Sequence, residues 1–122
     1  MGWHRCPAVS LISHIECYTF CIAIRFEWDG EKNRVNQQKH GGLAFESAAL
    51  VFDDPQAIFR KDRIVVGEQR WHAIGSATGA VLLVVHAYRK ENEHDKEETI
   101  RIILAREANK RERRSYIQQA GE

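Results

Sequence analysis

The positive charge of this chain is concentrated in one segment near its C-terminal end. Residues 100–116, IRIILAREANKRERRSY, hold six cations against only Glu107 and Glu112, whereas the rest of the chain holds 12 Lys and Arg against 15 Asp and Glu. The six cations are Arg101, Arg106, Lys110, Arg111, Arg113 and Arg114. Since the formal net charge of the whole chain is only +1, this separation of charge indicates an anionic partner.

The strand-like run TIRIILA, residues 99–105, carries the first of these arginines on a sheet face. Strict alternation puts Ile100, Ile102 and Leu104 on one face and Arg101 and Ile103 on the other. A cation that shares a face with apolar neighbours either extends to solvent at the sheet edge or lines a cleft. The sequence leaves these two interpretations of Arg101 equally open.

The segment after this strand predicts a basic helix over residues 107–119. Arg106, at the end of the strand, falls on one side of the helical wheel with Lys110 and Arg113, and few apolar residues remain to be buried. Such a helix is solvated, bound to a partner or weakly stable. Guanidinium groups bind phosphate through two parallel hydrogen bonds, and Tyr116 offers a ring that can stack on a base. The segment therefore fits a phosphate-containing partner.

Cleavage of RNA without a metal ion would use residue types that this chain contains. The reaction needs a base for the 2′-hydroxyl, positive charge for the transition-state oxygens and a proton for the leaving 5′-oxygen. The arginines meet the second need. His86, within the apolar run AVLLVVHAY, is expected to be a buried structural residue, whereas His40 at a predicted helix C-terminus either interacts with the helix dipole or acts in chemistry. The candidates for proton transfer are His40, His72, His86, Lys39, Tyr116 and Glu112.

Other kinds of site find little support, so we predict neither a metal ion nor a cofactor. Asp53 and Asp54 are adjacent and fit a helix terminus better than a metal site, and no phosphate-binding glycine loop or nucleophile elbow is present. The cysteines, all within the first 21 residues, predict reduced thiols. A zinc site is the weaker alternative, because the spacing matches no standard ligand set. Its ligands would come from Cys6, Cys17, Cys21, His4 and His14.

The length of 122 residues, 43% of them hydrophobic, suits one domain with one core. Residues 1–21 show no clear period and are interpreted as a poorly defined extension, with the single domain over residues 22–122. The sequence has no apolar run of the roughly 18 to 20 residues that a membrane span needs. His14, Glu16 and Tyr18 interrupt the mildly apolar stretch from Pro7 to Ile24, so no signal peptide is predicted. We expect a cytoplasmic protein.

The elements that must position these residues follow from periodicity and turn signals. Alternation predicts a strand over 22–28; Asp29 then caps a polar helix over 30–40 that Gly41 ends. An apolar stripe predicts a helix over 44–54, and strands follow at 57–60, 69–75, 80–88 and 99–105, with a turn at 75–80 and a solvated loop at 89–98. This order indicates an α+β fold, mainly antiparallel, with two N-terminal helices and a C-terminal helix.

Several segments, taken in order, resemble the BrnT toxins of type II toxin-antitoxin systems. They are FEWDGEKN, QQKHG, FESAALVFDDP, GEQRWHAIG, LLVVHAYR and IRIILAREANKRERRSY, within about residues 24–117. The resemblance implies a RelE-like fold and a ribonuclease that blocks translation by cleaving RNA, either free or at the ribosome. It also implies a BrnA-like antitoxin, whose ribbon-helix-helix domain would make the operator DNA contacts. No membrane partner is expected.

The resemblance also implies roles for individual residues. Arg101 and Arg106 match the strand and post-strand arginines and would bind phosphate, while His40 or Tyr116 would transfer protons. Four further residues match the family motifs and would bind the substrate: Lys39, Arg70, Lys110 and Arg113.

The competing hypothesis is a non-catalytic module that binds RNA or protein through the basic helix. The chain also departs from the family pattern in three places. Ala44 stands where the family has a capping serine, which predicts a helix start that is less stable by about 1 kcal/mol. In addition, the loop at 89–98 is longer than usual, and the first 20 or so residues have no counterpart.

Overall fold

The computed structural model describes residues 3–6, 23–89 and 97–120, and these form a mixed β-sheet with three α-helices. Within the described residues the sheet has six strands in the order β1-β2-β6-β5-β4-β3. The strands are β1 (Trp3–Cys6), β2 (Ala23–Asp29), β3 (Ile58–Val65), β4 (Glu68–Ala77), β5 (Ala80–Arg89) and β6 (Glu97–Glu107). The helices are α1 (Gly30–Lys39), α2 (Phe45–Ala48) and α3 (Lys110–Ala120). The prediction of an α+β fold is confirmed.

Most strand pairings are antiparallel, but β2 runs parallel to β6. This parallel pairing places β2 beside the last strand, β6, so α1, which follows β2, begins next to the basic segment. Strand β1, antiparallel to β2, was missed because regular structure was predicted only from residue 22 onward. The hairpin loop, placed at 89–98, and the alternative zinc site both depend on residues or side chains outside the described part of the chain.

The hydrophobic core lies between one face of the sheet and the layer formed by α1 and α2. Ring contacts connect the two layers: Phe26 packs against Phe52 at 5.4 Å between centroids, and Trp28 packs edge-on against Phe45 at 6.2 Å. Ile100 and Ile102 of β6, in the central part of the sheet, also belong to this core. The helical layer therefore covers one sheet face and leaves the other face for other contacts.

The second predicted helix is shorter than expected. After the single turn of α2, residues Ala49–Asp53 form a 3₁₀ segment. Ala48 and Val51 are both fully buried, a spacing of three that matches the 3₁₀ period, and the tighter winding brings Val51 against Gly75 of β4. A methyl group on Gly75 would meet Val51 Cγ1 at 2.8 Å. The 3₁₀ segment is thus packed closely against this glycine.

The start of α2 is not left uncapped. Ala44 indeed supplies no side-chain hydrogen bond, but Asn33 of α1 accepts a hydrogen bond from the Phe45 N–H at 2.9 Å. Asn33 also donates to Glu46 at 3.1 Å. The expectation of a poorly capped helix start was wrong, because a residue 12 positions earlier satisfies the orphan N–H group. By contrast, the predicted Asp29 cap of α1 is confirmed by its hydrogen bond from Glu31 N at 2.8 Å.

A β-bulge in β6 changes which side chains share a sheet face. Val85 pairs with Leu104 while His86 pairs with Ile102, so Ile103 is an extra residue with no direct partner. Strict alternation placed Leu104 on the core face with Ile100 and Ile102, and this was wrong. After the bulge the core face is taken by Ala105, which is fully buried.

Helix α1 is tied to β6 by the side chain of Asn36. Its amide donates to the Ala105 carbonyl oxygen at 2.8 Å and accepts from the Ala105 N–H at 3.2 Å. Strand β2 pairs with β6 only as far as Glu27 and Arg101, so this side-chain amide takes the place of a neighbouring strand for the next part of β6. A third bond, from the Asn36 amide to the Leu43 carbonyl at 3.0 Å, holds the turn after α1.

We predict that Asn36→Ala lowers the free energy of unfolding by about 2 to 3 kcal/mol, because it leaves the buried N–H and C=O groups of Ala105 without partners. Urea denaturation of the purified protein measures this loss. Gln38→Ala, at an exposed position of the same helix, is the matched control and should change the value by less than about 0.5 kcal/mol. Equal stability of the two variants would contradict a structural role for the Asn36 amide.

Candidate functional site

The sheet face opposite α1 and α2 collects charged side chains from three neighbouring strands. On β5, residues Leu83, Val85 and Ala87 lie on this face, and their partners on β6 include Arg106 and Arg101. The same alternation on β4 adds Glu68, Arg70 and His72, since His72 pairs with Val85. The bulge at Ile103 is therefore what brings Arg101 and Arg106 to one face.

This face contains a groove of about 280 Å³, which we call the arginine groove. Its floor is apolar and its rim is charged, so a ligand with flat apolar parts and anionic groups would fit it. The floor is formed by Leu83, Val85, Ile103 and Leu104, and the rim by Asp62, Arg63, Arg70, His72 and Arg106.

Arg106 is held by Glu112 from the first turn of α3. Nη1 and Nη2 of Arg106 each donate to one carboxylate oxygen of Glu112 at 2.9 Å, and Nη1 also donates to the Glu107 carbonyl at 3.1 Å. Among the described residues, the Nε and Nη2 edge of the guanidinium keeps donors without an acceptor. This side edge, on a side chain that is 32% exposed, has the geometry for a bidentate bond to phosphate.

Glu112 also caps the helix that carries it. Its carboxylate accepts from Asn109 N at 2.9 Å, while the Asn109 side chain accepts from Glu112 N at 2.8 Å, which is a capping box. Burial raises the pKa of Glu112, but the hydrogen bonds from Arg106 and from the Asn109 backbone lower it more, so the net pKa is lowered. Glu112 is thus an ionised carboxylate that fixes α3 and Arg106 together.

Arg101 and Arg70 share one carboxylate. Nη2 of Arg101 donates to Glu68 Oε1, and Nε of Arg70 lies 3.7 Å from the same oxygen. Arg101 is 19% exposed at its side chain, so it sits within the sheet face rather than in open solvent. The shared carboxylate connects Arg101 to Arg70 and hence to the arginine groove.

A second depression adjoins Arg106 on the side of α1. This pocket of about 370 Å³ is lined by His40, Gly41, Arg106 and Glu107, and we call it the His40 pocket. His40 is the C-cap of α1, and Gly41 with a φ of 62° allows the chain to turn away there. Arg106 therefore lines both depressions, one together with His40 and the other together with His72.

The structure does not bring all the predicted site residues together. The Tyr116 hydroxyl donates to Asp54 Oδ2 at 2.6 Å, and its pKa is raised chiefly by this bond. Tyr116 lines neither depression that contains Arg106. Lys39 and Lys110 are exposed at helix ends, and Arg113 donates to the Ala108 carbonyl at 2.6 Å. Only His40, Arg70 and Arg106 line these two depressions, with Arg101 joined through Glu68.

His72 was considered for proton transfer but was not selected, and its partner Asp62 was missed. Nε2 of His72 lies 3.0 Å from Asp62 Oδ2 on the neighbouring strand β3. The two-residue spacing between Arg70 and His72 was the available signal, since it places both on one strand face. The expected burial of His86 is confirmed, and that burial lowers the pKa of His86 to about 4.

The described residues contain neither a candidate metal centre nor a helix suited to span a membrane. No group of three or more His, Cys, Asp or Glu side chains within residues 3–6, 23–89 and 97–120 is arranged to hold a metal ion. No helix in this part of the chain has both the length and the apolar character of a membrane span.

An open sheet face lined by guanidinium groups, with histidines in the two depressions that adjoin Arg106, has the chemistry of a phosphate-binding surface. The comparison with known families agrees with this description. A family model described as "Ribonuclease toxin, BrnT, of type II toxin-antitoxin system" matches residues 28–112. This is well over half of the chain, which therefore belongs to the BrnT family of ribonuclease toxins. A search of curated proteins found no match.

Membership in this family implies an antitoxin partner and an RNA substrate. The matched range includes α1, the sheet from β3 to β6 and the first turn of α3. It contains His40, Arg70, Arg101 and Arg106, and it ends before Tyr116. Both depressions that adjoin Arg106 are thus built from residues inside the family match.

The bond between Tyr116 and Asp54 yields a stability prediction with a defined pH dependence. Burial raises the pKa of Asp54, but hydrogen bonds from Tyr116, Ser76 and Gln56 lower it more, so the folded-state pKa lies below the ordinary value of 3.8. A lowered carboxyl pKa stabilises the fold above the unfolded-state pKa, and this contribution disappears as the pH falls through the folded-state pKa.

We expect Tyr116→Phe to lower the free energy of unfolding by about 1 kcal/mol at pH 7, because Asp54 loses a hydrogen-bond donor. The difference from the unchanged protein should shrink as the pH falls below 3.8. Chemical denaturation at several pH values measures both effects. Gln118→Ala, exposed on the same helix, should show neither; a pH-independent loss in Tyr116→Phe would show that ring packing, not the bond, is responsible.

Proposed function

We propose that this protein is a metal-independent endoribonuclease with a RelE-like fold, whose site is centred on Arg106. The observation that carries the proposal is that Arg106 belongs both to the arginine groove and to the His40 pocket. A scissile phosphate held by Arg106 would have a histidine on either side. Base and acid must act on opposite sides of the phosphorus during in-line displacement, so this arrangement suits the reaction.

In this proposal, arginines supply the positive charge that stabilises the negatively charged transition state. The Nε and Nη2 groups of Arg106 donate hydrogen bonds to two phosphate oxygens, and Arg101 adds positive charge from the same sheet face. Arg70, on the rim of the groove, binds the neighbouring phosphate. The exposed cations Lys39 and Lys110 and the half-buried Arg113 guide the flanking RNA backbone, since screened surface charges act mainly over distance.

His40 is the proton donor to the leaving 5′-oxygen. Of the two groups that the sequence predicted for proton transfer, it is the one that shares a pocket with Arg106. The Tyr116 hydroxyl has a raised pKa and donates to Asp54, so its proton is less available. We assign Tyr116 to anchoring α3 over the site, with its ring available for stacking.

Cleavage of messenger RNA in the cytoplasm blocks translation, and a BrnA-like antitoxin neutralises the activity. Operator DNA is contacted only through the antitoxin. This part of the proposal rests on membership in a toxin family of type II systems. The arginine groove is the surface that such an antitoxin would cover or distort in order to inhibit cleavage.

A non-catalytic docking module remains the second candidate, and one observation favours it. Arg111 and Arg114 are exposed on α3, where they form a basic surface outside the groove. A module that docks through this surface would need these two arginines rather than the two inner ones. The two candidates thus make opposite predictions for the same set of variants.

We predict that Arg101→Ala and Arg106→Ala each abolish growth arrest on expression, while Arg111→Ala and Arg114→Ala have little effect. Removal of a charge aimed at the transition state costs about 3 to 4 kcal/mol, roughly a hundredfold or more in rate. Growth curves and the amount of intact message measure the effect, with circular dichroism and equal abundance as controls for folding. Essential outer arginines together with neutral inner ones would favour the docking module instead.

Cleavage by the purified protein is expected to persist in EDTA, because arginines supply the charge that a divalent ion would otherwise provide. A synthetic RNA in metal-free buffer tests this directly. Complete loss of cleavage that magnesium restores would contradict the proposal. Where ribosomes are included, their integrity is checked separately, since they need magnesium themselves.

A further inference from the structure

We propose that His72, oriented by Asp62, is the general base that removes the proton from the attacking 2′-hydroxyl. This inference rests on the proposed ribonuclease function and adds a catalytic residue on the side of Arg106 that faces away from His40. It depends on three features of the structure: the position of His72 in the arginine groove, the 3.0 Å separation between its Nε2 and Asp62 Oδ2, and the ring nitrogen that this contact leaves available.

His72 lies in the middle of the charged sheet face. Its neighbours across the sheet are Val85 on β5 and Arg60 on β3. It lines the arginine groove together with Arg70 and Arg106, and its side chain is 32% exposed. The imidazole can therefore reach a ligand in the groove without a rearrangement of the sheet.

The contact with Asp62 favours one tautomer of the ring. Nε2 of His72 lies 3.0 Å from Asp62 Oδ2, and a lone pair on Nε2 would repel the carboxylate at this distance, so the tautomer with its proton on Nε2 is favoured. Nδ1 makes no hydrogen bond to any residue that the structure describes. In the neutral ring Nδ1 then holds a lone pair directed away from Asp62, which is the atom that a general base needs.

His72 lies among charged groups of both signs. Cations surround it from β3, β4 and β6, whereas Asp62 stabilises the imidazolium that forms once a proton has been taken. This pairing is the arrangement that a carboxylate-supported histidine base requires. The titratable and charged groups around His72 are Arg60, Asp62, Arg63, Arg70, His86, Arg106 and Glu112.

The proposed step balances in protons and electrons. Nδ1 of His72 takes the proton from the 2′-hydroxyl, O2′ forms a bond to phosphorus, and the bond from phosphorus to O5′ breaks. Protonated His40 gives its proton to O5′. The products are a 2′,3′-cyclic phosphate and a 5′-hydroxyl, with no change in oxidation state, and solvent returns both histidines to their starting forms.

A substrate with a sulfur atom in place of O5′ separates the two histidines, because a thiolate leaves without a proton donor. We expect His72→Gln to slow cleavage of an ordinary short RNA by about a hundredfold or more, with no rescue by the sulfur substrate. His40→Gln should be rescued by it. Both substrates are tested free and bound to ribosomes, so that a need for the ribosome does not mask the result.

Asp62→Asn tests the orienting role, and its readout is the pH profile. The ascending limb of kcat/KM should move to lower pH, because the imidazolium loses its carboxylate partner, whereas a merely structural defect would lower the rate at every pH. In His72→Gln this limb should disappear. Lys61→Gln, one residue earlier on β3 with its side chain over Trp71 on the opposite face, is the matched control.

The outcomes separate the inference from the proposed function. If the unchanged protein cleaves RNA and folded His72→Gln cleaves it equally well, the inference is wrong and the ribonuclease proposal stands. Rescue of His72→Gln by the sulfur substrate would also overturn it, since that result identifies His72 as the acid. If the unchanged protein leaves both free and ribosome-bound RNA intact, both proposals fail. Thermal melting of each variant identifies any loss that comes from unfolding.

Discussion

The side-chain amide of Asn36 is the contact on which the geometry of the site depends. Strand β2 stops pairing with β6 at Glu27, and the Asn36 amide then satisfies both the N–H and the C=O of Ala105. Ala105 immediately precedes Arg106, and Asn36 lies one helical turn before His40. Because one buried amide joins these two backbone segments, the distance between His40 and Arg106 is fixed by the fold rather than by flexible surface side chains.

The extra residue at Ile103 is the second constraint, and it has an electrostatic consequence. The bulge turns Arg106 to the face of Arg101 and gathers cations on neighbouring strands. Repulsion between them is offset by carboxylates: Glu68 serves Arg101 and Arg70, and Glu112 serves Arg106. The guanidinium groups are therefore already oriented, and under the proposed function little side-chain entropy would be lost when a phosphate binds in the groove.

The sequence predicted those features that are local and missed those that depend on a distant partner. Alternation located β2, β4, β5 and β6, and Asp29 located the start of α1, because each signal lies within the element itself. The bulge at Ile103 is a mismatch of register with β5, which no single strand reveals. The cap of α2 comes from Asn33 in another helix, and the pairing of His72 with Asp62 joins two strands. For the same reason, a Tyr116 chosen by motif proved to contact Asp54, 62 positions away.

Glu68 and Glu112 each have more than one hydrogen-bond or ion-pair partner. This decides whether a variant at this site can lose activity without also losing stability. A buried carboxylate that loses its only cation destabilises a protein strongly. Here Glu68 keeps Arg70 when Arg101 is removed, and Glu112 keeps the Asn109 N–H when Arg106 is removed. Each inner arginine can thus be deleted without leaving its carboxylate unpartnered. Removal of Glu112 would instead release Arg106 and uncap α3 together, so the arginines, not their carboxylates, are the residues whose loss reports on chemistry.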